Sequence, residues 1–273
     1  MLNPDQNLDH FKVISKIGEG GMGEVYLAED QKLSRKVALK VLPSDLLENK
    51  DRLERFYREA KTAAKITHPN VMSIYDFGTC RPEGYDNDLN YIVMEHIDGQ
   101  SLKDYLANRN VSMTERLKIS EKIVRGLSAA HKLNIVHRDI KTDNIMIDSN
   151  GEPKILDFGL AKPFDSVFSS DGGDQTVTAS QDLTQDGKIL GTVTYMSPEQ
   201  ARGEVVDARS DIFSFGIMMY KIFAGEYPFD GGDRVSTIAK ILESRHTPIR
   251  DKNETLPPEL ERIIDKCLQK SSD

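Results

Sequence analysis

The chain has 273 residues and a mass of 30.7 kDa, enough for one large domain or two modest ones, each with its own core. A net charge of −8 leaves no general field to draw nucleic acid or an anionic membrane, and 38% hydrophobic with 29% charged residues is the balance of an ordinary soluble globular protein. Cys80 and Cys267 form no CxxC pair, which argues against a disulfide framework or a structural zinc site and for a reducing cytoplasm. The opening MLNPDQNLDHF has neither a basic nor an apolar leader region, and no apolar run approaches the ~18–20 residues of a membrane span.

In chain order, FKVISKI and GEVYLAED alternate apolar and polar positions around a glycine-rich turn, and KVALKVL follows the polar break QKLSR, so three strands are predicted. The stretch LLENKDRLERFYREAKTAAKI is rich in helix formers and stops before His68-Pro69. VMSIYDFG and LNYIVMEHI are strand-like again. From Gly99 the texture changes: MTERLKISEKIVRGLSAAHKL, DIFSFGIMMYKIFAGEYPF, STIAKILESRH and LERIIDKCLQK have helical spacing, and the short strands NIMIDS and PKILDF lie between the first two. A small strand-rich half thus precedes a larger helical half, with a hinge near residues 95–99. Residues 163–190 are rich in Ser, Thr, Asp, Gln and Gly, lack periodicity, and are expected to form a mobile loop.

The run Gly18-Glu19-Gly20-Gly21-Met22-Gly23 fits GxGxxG, a pattern that arises by chance roughly one time in ten in such a chain. A dinucleotide fingerprint needs a helix next, but Glu24-Val25-Tyr26-Leu27 reads as a strand; a P-loop needs Gly-Lys-Ser/Thr, which is missing. A glycine-rich hairpin over phosphates and a plain β-turn both remain. Lys40, in Val37-Ala38-Leu39-Lys40, sits on a strand suited to burial, where an ammonium needs a partner such as Glu59 on the following helix, unless it reaches solvent along its own stem.

The next motif is far more specific. His137-Arg138-Asp139-Ile140-Lys141-Thr142-Asp143-Asn144 matches five fixed positions of a kinase catalytic loop, about one in ten thousand by chance, and Asp157-Phe158-Gly159 follows at the end of a strand. With these motifs in order after Lys40, the chain resembles the protein kinases. Met22-Gly23-Glu24-Val25-Tyr26, Ser197-Pro198-Glu199-Gln200-Ala201-Arg202-Gly203 and Asp207-Ala208-Arg209-Ser210-Asp211 make it most similar to the eukaryotic-like serine/threonine kinases of bacteria, from about residue 11 to the end.

That resemblance implies an α+β, bilobal fold: an antiparallel-sheet N-lobe with one main helix and hinge (residues 1–97), a mainly helical C-lobe (98–273), and an activation segment with a long insert (157–199). It implies ATP-dependent phosphorylation of protein serine and threonine hydroxyls, a nucleotide-binding scaffold without transfer being the alternative. Gly18, Gly20 and Gly23 would approach the phosphates, and Lys40, paired with Glu59, would contact them. Ile17, Val25, Ala38 and Met146 would enclose the adenine, with Met94 behind it and the backbone of Glu95 and Ile97 along its edge; simple core packing is the other reading of Met94. Asn144 and Asp157 would hold Mg²⁺, or Mn²⁺ in its place; Asp139 would take the proton of the attacking hydroxyl, and Lys141 would steady the γ-phosphate. Asp211 would bond the catalytic-loop backbone, or else cap the helix starting at Ile212.

Arg138 beside Asp139 resembles kinases switched by activation-segment phosphorylation, with Thr176, Thr178, Ser180 and Thr184 as candidate sites and self-association in trans as the route. Thr192 is expected to be a structural hydroxyl near Asp139 and Lys141. Family members usually pair the glutamate at the Glu199 position with a late arginine; the chain stops at Gln269-Lys270-Ser271-Ser272-Asp273, so a fragment of a longer protein is expected, and any membrane anchor, sensor or effector domain would lie in the remainder. The expected partner is a protein substrate, with no nucleic acid or membrane contact by this segment. Cys267 fits an apolar face with Leu260, Ile263, Ile264 and Leu268.

Overall fold

Alternating side chains place two different surfaces on the first six strands, and those surfaces organise the first half of the chain. A computed structural model describes residues 2–20, 23–42, 50–158 and 193–271, in two units, Met1–Gly99 and Gln100–Asp273. In the first unit β1 (Asn7–Leu8), β2 (Phe11–Gly20), β3 (Gly23–Asp30), β4 (Arg35–Val41), β5 (Ile74–Cys80) and β6 (Leu89–Glu95) form an antiparallel sheet in the order β1-β2-β3-β4-β6-β5. Helix α1 (Lys50–Ala63) follows β4.

The registers Val25↔Lys40, Leu27↔Ala38, Ala38↔Met94 and Lys40↔Ile92 put Val25, Ala38, Lys40 and Met94 on one sheet face. The alternate residues Tyr26, Ala28, Val37, Leu39, Val41, Tyr91 and Val93 form a core on the other face, closed by Leu2, Leu8, Phe11 and Val13. The register of β2 against β3 shifts between Val13 and Ser15 and again between Lys16 and Gly18. Those shifts fall on Ile14 and Ile17, which are 41% and 49% exposed, because a bulged residue leaves the pleat. The predicted strand over residues 71–78 begins only at Ile74.

The second unit opens with α2 (Leu102–Asn108), which Ser101 caps by accepting the Asp104 N–H, and α3 (Met113–His131), capped in the same way by Ser112. The 3₁₀ turn Thr142–Asn144 leads into β8 (Ile145–Asp148), which pairs with β9 (Pro153–Ile155); β7 (Gly99–Ser101) completes that small sheet at the start of the unit. After Val193 come α4 (Pro198–Arg202), α5 (Ala208–Ala224), α6 (Arg234–Glu243), α7 (Ile249–Lys252) and α8 (Pro258–Cys267).

Helix α5 is apolar almost all round and accordingly buried, with Phe213, Ile217, Met218, Tyr220 and Ile222 each no more than 2% exposed. The expected helix over residues 211–229 is displaced at both ends. Asp207 supplies the N-cap, so Asp211 lies inside the helix and is not its cap, and Gly225, at φ 80°, ends it in the left-handed conformation. Helix α8 packs so closely on α5 that a Cβ on Gly216 would lie 2.7 Å from the Cys267 Cβ. Leu260, Ile264 and Leu268 are buried and Cys267 is half-buried, but Ile263 is 54% exposed and lies off the face predicted for it. Among the described residues, no helix is long and apolar enough to cross a membrane.

Candidate active site

The first unit carries the predicted nucleotide-binding residues. Gly18 and Gly20 lie on β2 opposite Val25 and Gly23 on β3, so the two strands pair as the arms of a hairpin; Gly21 and Met22 lie outside the described residues. Gly23 has φ 112°, a conformation that L side chains rarely adopt. Lys40 is 3% exposed, so its ammonium does not reach solvent as the alternative reading had it. Glu59 is half-buried on α1. Met94 is 3% exposed at the end of β6. The Glu95 N–H donates to the Ser73 carbonyl at 2.9 Å, and its carboxylate accepts the Ser73 N–H at 3.2 Å, which fixes the start of the predicted hinge. Ile97 follows two residues on and is half-buried.

The second unit brings the predicted catalytic residues together. Lys141 Nζ lies 3.1 Å from Asp139 Oδ2. The Asn144 side-chain amide donates to the Asp139 carbonyl at 2.8 Å and to its Oδ2 at 3.1 Å. That orientation leaves the Asn144 Oδ1 as an acceptor, a hard oxygen of the kind Mg²⁺ prefers. The strand end carrying Asp157 is tied to the same loop: the Leu156 N–H donates to the Asn144 carbonyl at 2.9 Å, and His137 Nε2 bonds the Leu156 carbonyl at 2.6 Å. An amide oxygen and a carboxylate on adjoining segments fit a divalent ion bound through a few protein oxygens. Met146, on β8 opposite Lys154, is half-buried in this unit.

The loop is held in a conformation it would not adopt alone. Arg138 has φ 67° and Asp157 has φ 46°, both left-handed and costly for non-glycine residues. Asp211, 1% exposed, compensates at Arg138: its Oδ1 accepts the Arg138 N–H and its Oδ2 the His137 N–H, each at 2.8 Å. His131 Nε2 is a third partner of that carboxylate, also at 2.8 Å. Gln200 Nε2 donates to the Arg138 carbonyl at 2.8 Å, and the His137 ring packs 4.8 Å from Phe158.

Further support comes from residues the motifs did not single out. Tyr195 Oη lies 3.0 Å from Thr142 Oγ1 inside the catalytic loop, and burial pushes its phenol far above the ordinary range. The Tyr195 carbonyl accepts the Ser214 hydroxyl at 2.7 Å, which joins this segment to α5. The place of Gln200 in a helix cap had a legible signal, because Ser197-Pro198-Glu199-Gln200 is a capping box and both of its bonds form, but its bond to the Arg138 carbonyl had none. Tyr195, Ser214 and His131 had none. Glu199 accepts the Ser210 hydroxyl. Thr194 is 8% exposed; Thr176, Thr178, Ser180, Thr184 and Thr192 lie outside the described residues.

Comparison with known proteins gives the family and the fold. PrkC of Bacillus subtilis, a serine/threonine-protein kinase, is 40% identical over 95% of this chain and 37% of its own length. The serine/threonine-protein kinase PknB of Mycolicibacterium smegmatis is 37% identical over 100% of this chain and 42% of its own. The chain therefore spans about two-fifths of the length of the curated relatives it matches. A mutant of the Mycobacterium tuberculosis PknI kinase domain superposes with a TM-score of 0.70 at 23% identity, covering 99% of this chain and 92% of that one, which supports the fold. With the protein kinase domain family matching residues 11–273, the chain belongs to the protein kinases, its first unit the sheet-based N-lobe and its second the helical C-lobe.

Proposed function

We propose that this chain transfers the γ-phosphoryl group of ATP to serine and threonine hydroxyls of protein substrates, itself included. The observation that supports this most is the Asp139 carboxylate, held by Lys141 at 3.1 Å and by the Asn144 amide on a loop whose backbone a buried carboxylate fixes. In-line transfer asks a protein mainly for positioning and charge neutralisation. Asp139 takes the proton of the substrate hydroxyl as its oxygen bonds the γ-phosphorus, and ADP leaves with the electrons of the broken P–O bond. Lys141 steadies the transferred group, and Lys40 with Glu59 positions the α- and β-phosphates. Gly18, Gly20 and Gly23 admit the phosphates to the hairpin backbone. Ile17, Val25, Ala38, Met94 and Met146 enclose the base, and the Glu95 and Ile97 backbone bonds its edge. Asn144 and Asp157 would hold Mg²⁺, which would supply charge neutralisation at the phosphate oxygens. A lysine two residues beyond Asp139 favours serine and threonine acceptors, and the relatives named as serine/threonine kinases support the same choice.

The test is intact mass before and after incubation with Mg-ATP and a generic basic protein, with Asp139→Asn alongside. Phosphate added to the chain or to the offered protein by the parent, and not by the variant, is expected. Equal labelling by both would remove Asp139 from the chemistry; labelling by neither would refute the transfer activity. Phosphopeptides confined to other regions would refute Thr176, Thr178, Ser180 and Thr184 as the acceptors.

A further inference from the structure

The back of the glycine-rich hairpin carries a charged staple that the reaction described above leaves unused. Glu19 and Glu24 are directly opposed across β2 and β3, one register step from the Gly20↔Gly23 pair. Like charges placed so drive two strands apart. Lys16 lies over both: its Nζ is 2.7 Å from Glu19 Oε2 and 2.6 Å from Glu24 Oε1. These two hydrogen bonds, Glu19's first, hold the Lys16 ammonium well above the usual lysine range. Lys16, then Tyr26, hold the Glu24 carboxyl below the usual carboxylate range.

The staple is anchored on its far side. The Tyr26 phenol donates to Glu24 Oε2 at 2.5 Å and accepts the Leu2 N–H at 2.9 Å. Tyr26 is 1% exposed, and burial followed by the Glu24 bond pushes its phenol up to about 12. Glu24 and Tyr26 alternate with Val25 along β3, so the staple lies on the face opposite Val25 and Lys40. It closes the two arms of the hairpin from behind and does not enter the face assigned to the nucleotide.

We infer that Lys16 is a positioning residue for the phosphates of the bound nucleotide, holding the glycine hairpin shut against the repulsion of Glu19 and Glu24, with Tyr26 and the segment from Leu2 to Leu8 as its anchor. The inference rests on the ATP reading above. A hairpin already closed loses less freedom when it wraps phosphates, so its effect falls on ligands that carry phosphates and not on the base. Lys16 is a surface side chain, 28% exposed, and its replacement leaves the core of the sheet intact.

The experiment measures Kd for adenosine and for a non-hydrolysable Mg-ATP analogue by calorimetry on the full chain. The proteins are the parent, Lys16→Met, Lys16→Arg, Tyr26→Phe and the double variant Lys16→Met/Glu19→Gln. In Lys16→Met the analogue is expected to bind about tenfold more weakly, with adenosine within about twofold of the parent. Lys16→Arg restores the affinity, the double variant recovers most of it by removing the opposed charge, and Tyr26→Phe shows a smaller loss of the same kind. Equal weakening of both ligands would mean a general loosening of the sheet and would overturn the inference. An unchanged analogue affinity in Lys16→Met, or no recovery in the double variant, would do the same. A parent chain that binds adenosine and the analogue equally would instead overturn the ATP reading, and the inference with it.

Discussion

Replacing Asp211 by Asn tests whether one buried carboxylate shapes the catalytic loop. The native group serves three donors, the Arg138 N–H through Oδ1 and the His137 N–H and His131 Nε2 through Oδ2, all at 2.8 Å and with the side chain 1% exposed. If the asparagine oxygen takes the Oδ2 position, its NH₂ faces the Arg138 N–H, and an orphaned buried donor costs about 1–3 kcal/mol. The two bonds that survive fall from charge-assisted to neutral, about 1 kcal/mol each. The sum, about 3–5 kcal/mol, is a large part of the ~5–15 kcal/mol that stabilises a domain. The Arg138 backbone, at φ 67°, is then free to relax, and Asp139 moves with it. A displacement near 1 Å is enough to lower kcat by about 10²-fold. Urea unfolding followed by far-UV circular dichroism, which suits a chain without tryptophan, reads the first effect, and phosphoryl-transfer kinetics well below the melting temperature read the second. A loss under about 1 kcal/mol together with an unchanged kcat would refute the reasoning.

Two further substitutions test local geometry elsewhere in the second unit. A Cβ on Gly231 would meet the Ser236 carbonyl carbon and the Thr237 nitrogen at 2.4 Å, both backbone atoms at the start of α6, so Gly231→Ala should cost about 1–3 kcal/mol and lower the melting temperature by several degrees; an unchanged melting temperature would contradict the contact. Asp207 caps α5, and its hydrogen bonds with Arg209, side chain first and then backbone, hold its carboxyl below the usual aspartate range. A carboxyl depressed in the folded state adds stability above its unfolded value of 3.8 and loses it as the pH falls through the lower folded value. Asp207→Ala should therefore cost about 1 kcal/mol near neutrality, with a gap to the parent that narrows below about pH 4; a gap constant from pH 7 to pH 3 would remove the charge from the account.

The sheet was legible because its residues are sorted by face. The alternation in GEVYLAED and KVALKVL puts Val25, Ala38 and Lys40 on one side and Tyr26, Val37 and Leu39 on the other without reference to anything distant. The local cluster of Asp139, Lys141 and Asn144 was legible by motif, since the three lie within six residues and their contacts are local. What holds that loop was mostly not legible. Asp211 was found through resemblance, but the Gln200 bond to the Arg138 carbonyl spans 62 residues, and the Tyr195 contact with Thr142 spans 53. Neither leaves a periodic trace. The left-handed backbone of Arg138 was equally hidden, because its sequence holds no glycine or asparagine there to announce it. Short helices such as α2 and α7 carry too few turns to show a period, and the bulges at Ile14 and Ile17 broke the alternation of β2 where only a straight strand had been expected.

The placement of β5 outside β6 bears on how the edge of this sheet would meet a strand of another chain. Among the described residues β5 is an outer strand of the six-stranded sheet, and a long flat outer strand is a template on which another chain can pair. Its register against β6 is interrupted between Ile74 and Asp76, and the Tyr75 and Asp76 side chains there are exposed. The irregularity twists the unpaired edge out of line, and a carboxylate there would have to be stripped of water by any incoming strand. At the opposite edge, β1 offers only two residues for pairing. Both borders of the sheet are thus poor substrates for growth by strand addition, a property of colloidal behaviour that phosphoryl transfer itself does not require.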